Sequence, residues 1–281
     1  MDSRSDSPGP AELAPRDAQT LARAWDAFEE GDLEEAAGVA EQLMRRTHGH
    51  PEVRLLRAAL LLEEDDATAA LADLDACAGR IEDTVLHAYY RSVALFDLAR
   101  FEEAEAQLRE LAATDLDPGT LHYLRAQVQE HLGRHAEAER DYAAAHAIDA
   151  EDFPLPLRIP RPAFEEAVHS ARELLPENLR ARLDEVPIVV EDLPPRAILD
   201  HAEGDRLTPD LLGLFVGRNL REESVFEVPG VPAAIYIFQR NLERTCSSRE
   251  ELVAEIGTTL YHELGHYLGL EEDDLRELDV D

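Results

Sequence analysis

The sequence contains no lysine. All 27 of its basic side chains are arginine, set against 61 aspartates and glutamates, so the net charge is −34. That field repels a phosphate backbone and an anionic bilayer alike, which excludes nucleic-acid binding and membrane docking and leaves solubility as the reading of the charge. Cysteine is almost missing too. Cys77 and Cys246 stand alone and far apart. This excludes a disulfide framework and suits free, buried thiols in a reducing compartment. No apolar run is long enough to cross a bilayer. The first residues, "MDSRSDSPGPAELAPRD", have no apolar core, so no signal peptide is expected and the protein is expected in the cytoplasm. Methionine occurs only at Met1 and Met44. What remains is 281 residues at 44% apolar content, enough for one large domain or two modest ones with real cores.

Self-similarity organises the first half. "GDLEEA", "ARFEEA" and "GRHAEA" align so that Ala36, Ala70, Ala104 and Ala138 fall 34 residues apart. Ala24, Ala58, Ser92 and Ala126 form a second column, Leu21, Leu55, Tyr89 and Tyr123 a third, and Ala40, Leu74, Leu108 and Tyr142 a fourth. Small residues let two helices approach, large apolar ones fill the gap to the next pair, and turns such as Gly31-Asp32 and Gly133-Arg134 join the two helices of a unit. The pattern resembles the tetratricopeptide repeat, in four copies over residues 17–150, although the family's tryptophan and closing proline are missing or displaced. The second copy, with "EDDATAA" at its turn, is the most degenerate. The resemblance implies an α-solenoid that binds a protein or peptide partner. Arg23, Arg57, Arg91 and Arg125 also recur at the repeat spacing. They read as ion pairs to glutamates of their own or the next repeat, or alternatively as a ladder gripping an acidic peptide.

"EDFPLPLRIPRP", residues 151–162, cannot be helical because each proline lacks a donor and restrains its predecessor; it reads as a linker. Residues 1–16, rich in Ser, Pro and Asp, read as a disordered arm. Residues 163–281 form a second domain of mixed α and β. A helix is expected over 162–175, with strands at "PIVVED", "LLGLFVG" and "AAIYIFQ". Ser247 and Ser248, each three residues before a glutamate (Glu250 and Glu251), give a capping-box signature that starts a helix of about 20 residues.

That last helix carries "TLYHELGHYLGLEEDD". Four residues turn a helix about 400°, so His262 and His266 lie about 40° apart and about 6 Å along the axis, a spacing that lets both imidazoles reach one ion. Glu263 stands about 100° round from His262, toward a water on that ion. Leu252, Ile256, Leu260 and Leu264 make an apolar stripe on the opposite side. Gly257, costly in mid-helix, suggests close packing against a strand. Catalytic zinc takes three protein ligands and leaves one place for water. Gly269 can end the helix in a left-handed turn and bring round Glu272, giving H-E-x-x-H-x-x-G-x-x-E. Glu271 and Asp273 flank Glu272, and a third ligand from farther downstream leaves only Glu277, since 15 residues follow His266.

Together with "LPENLRARLDEVPIVVEDLPP", "LLGLFVG" and "AIYIFQRNLER", this stretch resembles the small bacterial zincin-like metallopeptidases over about residues 161–281. The resemblance implies a compact domain with a small sheet and an active-site helix, Zn2+ as cofactor, His262 and His266 as zinc ligands, Glu263 as catalytic glutamate and Glu272 at the acidic third-ligand position. A Met-turn is ruled out by the two methionine positions. The expected reaction is hydrolysis of a peptide substrate with Glu263 as general base, the peptide adding to the strand "AAIYIFQ" as to a sheet edge. Tyr236, Tyr261 and Tyr267 are candidates to assist the oxyanion, or packing residues. Two other readings are a non-catalytic scaffold in which zinc only staples the C-terminal domain, and a hydrolase of non-peptide amides. Oligomeric state has no signature in the sequence.

Overall fold

The computed structural model describes residues 12–114, 116–201, 207–220 and 224–270. The chain separates into two compact units, Met1–Ile148 and Asp149–Asp281.

The first unit is built from four pairs of consecutive helices: α1 (Pro15–Glu29) with α2 (Leu33–Thr47), α3 (Pro51–Glu63) with α4 (Ala67–Cys77), α5 (Thr84–Asp97) with α6 (Phe101–Leu111), and α7 (Pro118–His131) with α8 (His135–Ile148). Prolines open α1, α3 and α7, where a missing N–H costs nothing. Asp32, Asp66, Asp83 and Asp117 cap α2, α4, α5 and α7 by accepting N–H groups of the first turn. Within each pair the turn reverses through one left-handed residue: Gly31 (φ 81°), Asp65 (φ 58°), Ala99 (φ 54°) and Gly133 (φ 72°). These four positions keep the repeat spacing even where glycine has been replaced. The small-residue columns are the helix contacts. Ala36, Ala70, Ala104 and Ala138 are all fully buried, as are Ala58, Ser92 and Ala126. The unit is an α-solenoid of helical hairpins.

The arginine column pairs with aspartates of the second helices rather than with glutamates. Arg57 binds both carboxylate oxygens of Asp73, Arg91 reaches Asp75 at 3.2 Å, and Arg125 holds Asp141. Asp73 and Asp141 are themselves buried. Internal pairing therefore occupies three of the four arginines, as the ion-pair reading expects, with aspartate in place of glutamate.

In the second unit the proline-rich stretch is seated on the domain. Leu157 N–H donates to the Glu243 carbonyl at 2.7 Å, Ile159 N–H donates to the Glu243 carboxylate at 3.2 Å, and Gln239 Nε2 donates to the Ile159 carbonyl at 2.9 Å. Leu157 and Ile159 pack against the core. Then come α9 (Arg161–Leu174), α10 (Glu177–Leu183), β1 (Ile188–Glu191), α11 (Arg196–Leu199), β2 (Gly213–Arg218), β3 (Ser224–Phe226), β4 (Ala234–Phe238), α12 (Gln239–Thr245) and α13 (Arg249–Leu268). The sheet order is β1-β4-β2-β3, with β1 parallel to β4 and both other pairings antiparallel.

All five β4 residues are buried, as both faces of a central strand require. Ile235 and Ile237 face α9 and α13 in one core, whereas Ala234, Tyr236 and Phe238 face Ile198, Phe226 and Val228 in another. The expectation that "AAIYIFQ" is a sheet edge is therefore corrected: β4 has partners on both sides. Among the described residues no helix is long and apolar enough to cross a membrane. Residues 1–11 of the expected N-terminal arm lie outside the described residues, and α1 already begins at Pro15.

Candidate metal centre and active site

Helix α13 begins at Ser248, whose hydroxyl accepts the Glu251 N–H at 3.2 Å. The Glu251 carboxylate accepts the N–H and the hydroxyl of Ser247, each at 2.8 Å, and these bonds lower its pKa. The capping box is present, reaching one residue further back than the usual pairing. Leu252, Ile256, Leu260 and Leu264 are buried to within 1% on the face against β2, β4 and α9. Burying that stripe fixes the rotation of the helix, and so fixes where the histidines point.

His262 and His266 converge. Their Nε2 atoms are 3.1 Å apart, with the rings nearly perpendicular at 82°. Without an ion, one ring must donate an N–H to the other at that distance. The same separation suits a shared ion. Two nitrogens at about 2.0–2.1 Å from tetrahedral zinc sit roughly 3.3 Å apart. The two imidazoles thus fit one zinc ion with little rearrangement.

Gly269 ends the helix in the left-handed conformation, φ 81° and ψ 32°. Its N–H bonds back to His266 O at 3.0 Å, and Leu270 N–H bonds to Gly265 O at 3.0 Å. The left-handed helix end expected at Gly269 is therefore present, three residues after the second histidine. Glu271, Glu272, Asp273 and Glu277 lie outside the described residues. Among the described residues no third His, Cys, Asp or Glu joins the pair.

Glu263 points to the sheet. It is 7% exposed, and its Oε2 accepts the Phe215 N–H of β2 at 2.6 Å. The N–H is available because β3 pairs with β2 only at Gly217 and Arg218. Contact between α13 and β2 depends on a residue that sequence reasoning passed over. A Cβ on Gly213 would lie 2.5 Å from Thr259 Cγ2 and 3.3 Å from Glu263 Cγ. Gly257, the expected close-packing glycine, faces open space instead, with nothing within 4 Å of its would-be Cβ. A glycine inside "LLGLFVG" was the available signal, since glycine in a strand marks close approach.

Two of the three tyrosine candidates have structural partners. Tyr267 donates to Glu185 at 3.3 Å and packs edge-on against Phe215, while Tyr236 donates to the Pro232 carbonyl at 3.1 Å from the far face of the sheet. Tyr261 is half-buried on α13.

Two histidines converge on the polar side of α13, and the helix ends at a left-handed glycine three residues after the second of them. Residues 183–281 match the family model described as Zincin-like metallopeptidase. The C-terminal unit carries a zincin-like metallopeptidase domain. The zincin-like region begins at the end of α10 and takes in the whole sheet and α13. No curated protein matches the chain significantly. Among solved structures, the chain is similar to the crystal structure of the P58(IPK) TPR domain, at 17% identity over 93% of this chain and 63% of that one, with a TM-score of 0.32. This chain thus spans less than two thirds of that one, and the likeness is too loose to bear on fold or partners. The repeat architecture rests on the helix pairs themselves.

Proposed function

We propose that the protein is a cytoplasmic, zinc-dependent peptidase whose helical repeats recruit a protein or peptide partner. The observation that carries the reading is the 3.1 Å approach of the His262 and His266 Nε2 atoms on a helix that ends at a left-handed glycine three residues later. His262, His266 and Glu272 would hold the ion. When bound, zinc supplies Lewis acidity and makes water acidic enough to ionise near neutral pH. Glu263 takes the proton from the attacking water and returns it to the amine as the C–N bond breaks. Since β4 is interior, the extended substrate is assigned instead to the flank of β2 before Gly217, which has no strand partner on the side away from β4 among the described residues; a peptide there takes over the Phe215 N–H from Glu263. The free, buried state of Cys77 and Cys246 supports a reducing compartment.

One observation favours the scaffold reading. A general base must reach water, and the Glu263 carboxylate here is buried against the Phe215 N–H. Glu263→Gln separates the two readings, because the amide oxygen can still accept that N–H. As a peptidase, the variant loses at least about a hundredfold in turnover on a peptide library while retaining zinc. As a scaffold, wild type and variant alike cleave nothing at any zinc concentration. Small-amide libraries run in parallel identify a non-peptide substrate.

A further inference from the structure

The first helices of the repeats hold a feature that neither the zinc site nor the arginine pairs use. Trp25 of α1 stacks on Tyr90 of α5, with ring centroids 6.2 Å apart and planes at 22°. Phe28 meets Trp25 edge-on at 5.7 Å, and Tyr89 lies 5.4 Å from Tyr90. All four rings are half-buried, and beside them opens a cavity of about 280 Å³ that Glu29, Leu55 and Leu86 also line. Three carboxylates line it, Glu29, Glu52 and Asp83, and Glu29, Glu63 and Asp97 stand at equivalent positions, 34 residues apart, at the ends of α1, α3 and α5. Glu29 and Glu63 are exposed, and neither is paired with an arginine among the described residues. Their field reaches the rings. Burial first, and then Glu63 and Asp97, push the Tyr89 hydroxyl above its ordinary pKa; burial, the neighbouring Tyr89 and then Glu63 and Glu29 do the same for Tyr90.

Aromatic faces flanked by carboxylates are the chemistry that holds a cation. The ring quadrupole attracts it, the acids neutralise it, and a flat guanidinium stacks on indole or phenol. We propose that this face of repeats one to three binds an extended cationic peptide segment, seating an arginine or lysine against Trp25 and Tyr90 between Glu29 and Glu63. The proposal rests on the reading that the repeats recruit a peptide, and it names that peptide's charge. A second copy of this chain is a poor occupant, because it brings the same net charge of −34.

Trp25 is the sole tryptophan, so its emission reports on this face alone. The full chain, kept metal-free by a chelator so that no probe is cleaved, is titrated with a capped nonapeptide alternating arginine and leucine. A second titration uses its counterpart with glutamate in place of arginine. The arginine peptide is expected to change the emission saturably. Its Kd should rise about tenfold in the double variant Glu29→Gln/Glu63→Gln and in Tyr90→Leu. Glu34→Gln/Glu110→Gln removes the same charge from exposed positions on α2 and α6 and should shift Kd by less than about twofold. Equal weakening in both double variants would show general attraction to an acidic protein and overturn the proposal. Tighter binding of the glutamate peptide would overturn it while leaving peptide recruitment by the repeats intact. No response to either peptide would remove this face as a docking surface, with the peptidase reading untouched.

Discussion

Glu263 and Gly213 show how far single residues determine the site. The H-E-x-x-H spacing was legible because helix geometry alone places His262 beside His266. The bond from Phe215 N–H to Glu263 was not, because it joins residues 48 apart in sequence and depends on how far β3 pairs along β2. Gly213→Ala drives a methyl against Thr259 Cγ2 and should cost about 2 kcal/mol in urea unfolding, with part recovered in Gly213→Ala/Thr259→Ser, which removes the opposing methyl.

Asp141 gives a prediction in pH. Burial raises its carboxyl, but hydrogen bonds from Arg125 and His122 outweigh that and hold it below its ordinary value. A depressed folded pKa contributes stability that is present above the unfolded pKa, about 3.9, and disappears as pH falls through the folded value. Asp141→Asn should therefore destabilise the repeats at pH 7, by about 2 kcal/mol given the partial exposure of Arg125. The difference from wild type in thermal melts should shrink steadily below about pH 4. A gap that stays constant down to low pH would mean that the bond contributes nothing through ionisation.

At the scale of elements, the repeats were legible because their columns are alanines, and a buried alanine admits few substitutes between close helices. Even the degenerate second copy keeps Ala58 and Ala70 fully buried. The left-handed turn column was only half legible, since Asp65 and Ala99 occupy it without being glycine. The would-be Cβ of Gly31 has nothing within 4 Å, so Gly31→Ala tests the backbone alone and should cost about 1 kcal/mol. Asp65→Gly, at an exposed position in the same conformation, should gain a few tenths up to about 1 kcal/mol. Urea melts of the two variants should move in opposite directions. Strand order was the least legible feature. An unbroken apolar run such as "AAIYIFQ" is the mark of an interior strand, and that mark outweighs a general expectation that substrate joins an edge. The short β3, only three residues long, left no periodic signal.

At the scale of the molecule, two units with different physics share one chain. The repeats are held by evenly spaced small residues and internal Arg–Asp pairs. The zincin-like domain is held by a four-stranded sheet with α9 and α13 across one face and α11 among the residues on the other. The high negative charge belongs to both and bears on partners rather than on fold, and it favours a cationic peptide over an acidic one at the repeats. The peptidase reading needs a third ligand to arrive after the Gly269 reversal, and metal content is its most direct test. Wild type, His262→Ala, Glu272→Ala and Glu263→Gln are dialysed against zinc and analysed for bound metal by mass spectrometry. The account predicts about one zinc per chain in wild type and Glu263→Gln, and almost none in His262→Ala or Glu272→Ala. Wild type free of zinc after that treatment, or Glu272→Ala binding it as fully as wild type, would contradict the three-ligand site.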